Sequence, residues 1–210
     1  DGNYKEKTLR EIEENVRKFK DHPALLMWNI GNEVIFTLKT EKEKIAFAKY
    51  LEEICQMVHK LDPDHPIVST SAWAFSFPYF KEYTPSLDIY GTNCFGLEGI
   101  LKAREELKKL SIDRPYLVTE FGNTGDWEAP KDLNGQPIDL SDIEKAQAYR
   151  DMWQKAILTD KDKNSLGGFA FIFGDKEDFG GVWYNLFMNG KKRMSYWTVR
   201  ELFTGQKTKN

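Results

Sequence analysis

Short apolar runs alternate with longer amphipathic stretches along the whole chain, and no other feature restricts its fold so tightly. Leu9, Ile12, Val16 and Phe19 share one face of a predicted helix that stops before Pro23. The run LLMWNIGNE, residues 25–33, follows at once and reads as a buried strand ending abruptly in an amide and a carboxylate. Residues 41–61 place Ile45, Ala48, Leu51, Ile54 and Val58 on one helix face, and PIVSTSAW supplies the next strand after the Asp-Pro turn at 62–63. The strand LDIYGTNCF, the helix GILKAREELKKL, the strand PYLVTEFG, the helix SDIEKAQAYRDMWQKAIL, the strand GGFAFIFGD and a last helical segment, SYWTVRELF, complete the series.

Five strands separated by helices imply parallel pairing through right-handed crossovers, because a connection of a dozen or more residues cannot be a tight hairpin. The apolar character of the strands agrees, since parallel strands are usually covered on both faces. The fold class is therefore α/β, and two architectures fit: an open doubly wound sheet, or a (β/α)8 barrel lacking some of its units. With 210 residues, 40% of them hydrophobic, the chain can bury a substantial core and suits one domain better than two.

The remaining composition mostly excludes. A net charge of -3 gives no basic excess for phosphate binding, so no nucleic-acid partner is expected. No apolar window is long enough to span a bilayer and the N-terminus lacks the apolar core of a signal peptide, so a soluble chain with no membrane partner is expected. Cys55 and Cys94 fall in a predicted helix and a predicted strand and suggest neither a disulfide framework nor a metal site. They leave the compartment undecided. His22, His59 and His65 have no HExxH spacing, no Gly-x-Ser-x-Gly elbow occurs, and Gly122–Gly125 has no following Lys-Ser/Thr. No metal or cofactor is expected. The charge runs KEKTLREIEENVRKFK and KAREELKKL read as solvated helix faces.

Both architectures gather their chemistry at the C-terminal ends of the strands. There the first strand delivers Asn32 and Glu33, and the fourth delivers Thr119 and Glu120. One glutamate at a strand end is ordinarily a solvated loop residue or an ion-pair partner. Two on the same rim are the equipment for acid/base and nucleophilic work on an acetal. Residues 122–140, rich in Gly, Pro, Asn and Asp, form a long loop after the fourth strand, a place where loops are more often functional than accidental.

Trp28-Asn29-Ile30-Gly31-Asn32-Glu33, preceded by His22-Pro23, resembles the acid/base signature of the retaining glycoside hydrolase clan with (β/α)8 barrels, most closely the catalytic domain of glycoside hydrolase family 2. In that family the Asn-Glu pair closes barrel strand four. A second Glu, the nucleophile, closes strand seven in a segment like Leu117-Val118-Thr119-Glu120-Phe121-Gly122. Two strands, PIVSTSAW and LDIYGTNCF, lie between the motifs here, so the strand count agrees with the family order. The ending GVWYNLFMNGKKRMSYWTVRELFTG is similar to the family's usual ending, where a turn around a Gly-Lys leads into a final helix. The resemblance covers essentially all of residues 1–210.

The resemblance implies that the chain is the C-terminal part of a single (β/α)8 catalytic domain, strands four to eight with their helices, with strands one to three absent. An N-terminal region or another chain would then supply the missing strands, since a five-unit piece leaves two strand edges and an apolar inner face exposed. It further implies that Glu33 is the acid/base, that Glu120 is the nucleophile forming a covalent glycosyl intermediate, and that Asn32 bonds the sugar 2-hydroxyl. Asn93 belongs to the same site. Trp73, Trp127 and Trp183 are candidates for stacking on sugar rings, while Trp28 and Trp153 read as core. The substrate would be a β-linked carbohydrate, hydrolysed or transferred to a second sugar; a non-catalytic carbohydrate-binding or scaffold protein is the alternative. Two departures accompany the match: Asn93-Cys94-Phe95 stands where the family commonly has Asn, any residue, then Tyr, and strand eight offers Phe171 and Phe173 where a Trp is common.

Overall fold

The computed structural model describes residues 2–158, 164–174 and 183–207, without the side chains of residues 2 and 3. Its centre is a sheet of five strands, β1 (Trp28–Asn32), β2 (Ile67–Ala72), β3 (Ile89–Phe95), β4 (Tyr116–Gly122) and β5 (Ser165–Ala170), lying in sequence order. Each neighbouring pair is parallel. That order favours the barrel-like alternative, because a doubly wound sheet reverses its strand order at a switch point and this one does not.

The helices pack on the outer face of the sheet. α1 (Gly2–Phe19) buries Val16, and α3 (Glu41–Leu61) buries Ala48, Leu51, Ile54, Cys55 and Val58. α3 starts at a capping box in which Thr40 and Glu43 satisfy each other's backbone N–H groups. α6 (Asp142–Met152) starts the same way at Ser141 and Glu144, then runs on as one π turn over Trp153–Ile157. α5 (Gly96–Lys109) follows β3, and α7 (Met194–Thr204) closes the described chain. Two short helices escaped the sequence pattern. α2 (Val34–Thr37) has only 4 residues, and α4 (Phe77–Tyr83) is an aromatic-rich segment of 7 with Pro78 in its first turn, too short for a 3.6-residue period to show. The turn before the final helix is a two-residue one, Asn189-Gly190, both at positive φ, closing the hairpin β6 (Phe187–Met188) and β7 (Lys191–Lys192).

Burial corrects the expected picture of the strands in three ways. β1 was expected to be a buried strand, yet among the described residues it is an edge of the sheet, half-exposed along its length, and Leu26 just before it is 64% exposed. Its apolar residues have a neighbour on one side only. β5 occupies Ser165–Ala170 instead of 167–175; it is the other edge and exposes Leu166 and Phe169. Asp175, the last residue of that expected strand, lies outside the described residues. The inner face was expected to be exposed, but Val68, Ile89 and Leu117 from β2, β3 and β4 bury one another together with Met27. Within β1 to β5, the exposed large apolar side chains, Leu166 and Phe169, are on an edge strand. Trp28 and Trp153, expected in the core, are half-buried against it.

The start of β1 is pinned by one carboxylate. Asp62, 2% exposed, accepts hydrogen bonds from Trp28 Nε1 (2.8 Å), from His65 Nδ1 (2.9 Å) and from the Asp64 N–H (3.2 Å). Burial alone would raise its pKa, but these bonds outweigh burial and hold it below the ordinary 3.8. A folded-state pKa below the unfolded value contributes stability above the unfolded value, and the contribution is lost as pH falls through the folded one. Asp62→Asn is expected to lower stability at neutral pH by about 2 kcal/mol. The gap to wild type, read from urea midpoints, should close below about pH 4; a gap unchanged at pH 3 would refute the assignment.

Candidate active site

The two glutamates singled out in the sequence are carried by strands with the same irregularity. In β1 the register runs Asn29↔Val68 and then Asn32↔Thr70, so β1 holds one more residue than β2 over that interval. Gly31 at φ +82 supplies the conformation this bulge needs. In β4 the register runs Thr92↔Val118 and then Asn93↔Glu120, so Thr119 is the extra residue. Strict alternation would send Thr119 and Glu120 to opposite faces. The bulge instead places both opposite Asn93.

Glu33 follows β1 in the left-handed region, φ 57 and ψ 20, and its N–H donates to the Thr70 carbonyl at 2.9 Å. That turn brings two consecutive side chains to one partner. The Asn93 amide donates to Glu33 Oε1 at 2.8 Å and to Asn32 Oδ1 at 3.2 Å. On its other side Asn93 Oδ1 accepts from Thr119 Oγ1 at 2.8 Å. Asn93 is 3% exposed, whereas Glu33 and Glu120 are half-buried and Asn32 is exposed. A chain of polar contacts thus crosses the strand ends from β1 through β3 to β4. Asn32, Glu33 and Asn93 meet there through the Asn93 amide, and Glu120 stands in register with Asn93. Thr119 had no separate signal, because the bulge that brings it to Asn93 is invisible in a linear pattern.

The tryptophans divide. Trp73 directly follows β2 and is held at φ 45 by two bonds: its N–H donates to the Asn93 carbonyl at 3.0 Å, and its carbonyl accepts from Thr92 Oγ1 at 2.6 Å. Its ring stands edge-on to Phe36 (6.1 Å) and Trp127 (6.4 Å). Trp127, in the long loop after β4, is 50% exposed and also meets Phe95 edge-on at 5.5 Å. Trp183 is placed differently. It is 3% exposed, donates Nε1 to the Thr124 carbonyl at 2.9 Å, and has Lys145 Nζ 5.7 Å from its ring centre. Lys145, itself buried, bonds the Trp183 carbonyl and pairs with Asp139; burial pulls its pKa down while Asp139 opposes the shift. Trp183 therefore fastens the long loop to the end of the sheet, and its ring is enclosed instead of presented. Phe95 packs against Trp127, Phe171 and Tyr184 and brings no hydroxyl to the site. Among the described residues no group of His, Cys, Asp and Glu could hold a metal, and no helix is long and apolar enough to cross a membrane.

Solved structures share this fold. No curated protein matches the chain. Among solved structures, a β-galacturonidase from Eisenbergiella tayi superposes with a TM-score of 0.71 at 16% identity, covering 97% of this chain and 37% of its own. A β-glucuronidase from Ruminococcus gnavus gives 0.64 at 16% identity over 96% and 36%, and one from Dictyoglomus thermophilum gives 0.61 at 18% over 94% and 36%. The chain spans little more than a third of the length of these structures, and at such identities the likeness is one of fold. The family model described as glycosyl hydrolases family 2, TIM barrel domain, matches residues 1–191, and the chain belongs to that family.

Proposed function

We propose that this chain carries both carboxylates of a retaining β-glycosidase, on strands four to eight of its barrel. The observation that carries the reading is the Asn93 amide, which holds Glu33 Oε1 at 2.8 Å while Asn93 stands in register with Glu120. Glu33 protonates the glycosidic oxygen and later takes a proton from the incoming water; Glu120 attacks the anomeric carbon and is released in the second step. The first step breaks the bond from the anomeric carbon to the leaving group and forms the bond to the Glu120 carboxylate. The second reverses that exchange with water, so configuration is retained. Asn32, exposed beside Glu33, is placed to bond a sugar hydroxyl, and Trp73 and Trp127 offer aromatic edges and faces to the ring. The substrate is a β-linked carbohydrate, and strands one to three come from an N-terminal region or another chain. Exposed Leu26 at one sheet edge and Leu166 and Phe169 at the other support that completion. Phe95, with no hydroxyl, favours a second reading in which the site binds sugar without turning it over.

Four outcomes test these readings. Glu33→Gln and Glu120→Gln should each lower kcat by roughly 10²–10⁴-fold in a folded protein, and a 2-fluoro glycoside should label Glu120 in the mass spectrum. Sugar binding without label or turnover would leave the second reading. Thr119→Val removes the donor to Asn93 Oδ1 and should cost about 1–2 kcal/mol in a urea titration; no loss would mean that the bond to Asn93 contributes nothing. Alone, the chain should associate through its sheet edges, and become monomeric and active once strands one to three are joined to it. A monomeric, active chain by itself, seen by light scattering, would exclude the need for completion.

A further inference from the structure

Glu33 hangs from an edge strand, and among the described residues one side chain holds its carboxylate: the Asn93 amide, which donates to Oε1 at 2.8 Å. That bond leaves Oε2 to carry a proton, since an N–H does not point at an O–H hydrogen. A hydrogen bond positions its partner only as firmly as its own far end is fixed. The Asn93 backbone is fixed, because β3 is paired on both sides; its side-chain torsions are not. Thr119 settles them. Its Oγ1 donates to Asn93 Oδ1 at 2.8 Å, and among the described residues no other group does so. Asn93 is 3% exposed, so water does not readily replace that donor. Thr119 reaches Asn93 because β4 gains a residue between Val118 and Glu120, which sets Thr119 and Glu120 against the same partner.

We propose that Thr119 is a positioning residue for the proton transfer: its hydroxyl locks the Asn93 amide, and the locked amide holds Glu33 where it can protonate the leaving group. The proposal rests on Glu33 being the acid of a glycosidase. Without the hydroxyl, Asn93 Oδ1 is a buried acceptor that has lost its donor, which is costly. Any rotation that brings this oxygen to water relieves the cost, and the same rotation carries the amide N–H groups away from Glu33 and Asn32. Glu33 then keeps its backbone bond to Thr70 but loses the hold on its carboxylate. Glu120 is not reached by this route. β4 is paired on both sides, and Thr119 Oγ1 donates to Asn93 and not to the carboxylate beside it in the chain. The loss therefore falls on proton donation and spares nucleophilic attack. The strand that carries one carboxylate thus backs the other, through the residue next to it.

Two substrates of the full protein, sharing a sugar that it turns over, separate acid from nucleophile. A 2,4-dinitrophenyl β-glycoside departs as a stable phenolate and needs no proton, whereas a methyl β-glycoside needs one from an acid. For both, kcat/KM reports the step in which Glu120 attacks. Thr119→Val should raise the dinitrophenyl-over-methyl ratio of kcat/KM by roughly 10- to 100-fold, part of the roughly 10²–10⁴ that a positioned acid contributes. Thr119→Ala should do the same, and serves if valine disturbs the bulge. Thr119→Ser returns the hydroxyl and should restore the wild-type ratio. An unchanged ratio, whether both rates hold or both fall together, or a serine variant that behaves like the valine one, would overturn the proposal. Failure of the glycosidase reading has a separate signature: Glu33→Gln then leaves the ratio at its wild-type value.

Discussion

A single buried carboxamide, that of Asn93, ties the ends of three strands together. Its oxygen faces a hydroxyl, Thr119 Oγ1, and its nitrogen faces two acceptors, Glu33 Oε1 and Asn32 Oδ1. The orientation is not interchangeable. A flipped amide would set its oxygen against a carboxylate and a carbonyl oxygen at hydrogen-bond distance, replacing two attractions with two repulsions in a half-buried setting. Aspartate would do the same with an added charge, and leucine would leave Thr119 and Glu33 without their partner. The geometry of the candidate acid is thus set by a residue that no proton transfer requires. It lies on β3, paired on both sides, so its position follows from two ladders of backbone hydrogen bonds.

Most of the architecture was legible because parallel strands and amphipathic helices write different periods into the sequence. The face expected for α3 is the one that packs, at Ala48, Leu51, Ile54 and Val58; that of α1 packs through Val16, with Leu9 and Ile12 half-buried, but Phe19 at its end is exposed. What could not be read has a common cause. A bulge changes register without changing composition, so neither Gly31 nor Thr119 announced that the strands gain a residue there. The partial exposure of β1 has a related cause: LLMWNIGNE is as apolar as a central strand, and periodicity alone does not show whether a strand is paired on one side or on two. The Asn32-Glu33 and Thr119-Glu120 pairs stood out because two strands end in a glutamate on the same rim, where two carboxylates can act together although either alone is ordinarily a solvated loop residue. Trp183 was misjudged because an indole near a strand end serves equally well as a platform or as a peg, and only its Nε1 bond to Thr124 and the enclosure of its ring decide.

The edges and the site are related by stability. Among the described residues β1 and β5 are each paired on one side only, yet the inner cluster of Val68, Ile89 and Leu117 and the helix-side core are buried by contacts within the chain. The middle strands are therefore the rigid part. Asn93 on β3 and Glu120 on β4 belong to it, whereas Glu33 hangs from an edge. Asp62 compensates at one end of β1 by gripping Trp28, and the Asn93 amide does so at the other. An edge strand fixed at both ends can carry a side chain as accurately as a central one.

Left-handed backbone at a non-glycine residue is unfavourable, and two such residues, Glu33 and Trp73, stand at the ends of adjacent strands. Both are held by bonds to the neighbouring strand, Glu33 by the Thr70 carbonyl and Trp73 by the Asn93 carbonyl. Glycine would adopt either conformation without strain, so what these positions need is the side chain. At Glu33 that conformation turns the carboxylate back toward the amide already engaged by Asn32. At Trp73 it sets an indole edge-on to Phe36 and Trp127. Each strain is small against the ladders that impose it. Together they tie the ends of β1 and β2 to one residue of β3, Glu33 through the Asn93 amide and Trp73 through the Asn93 carbonyl.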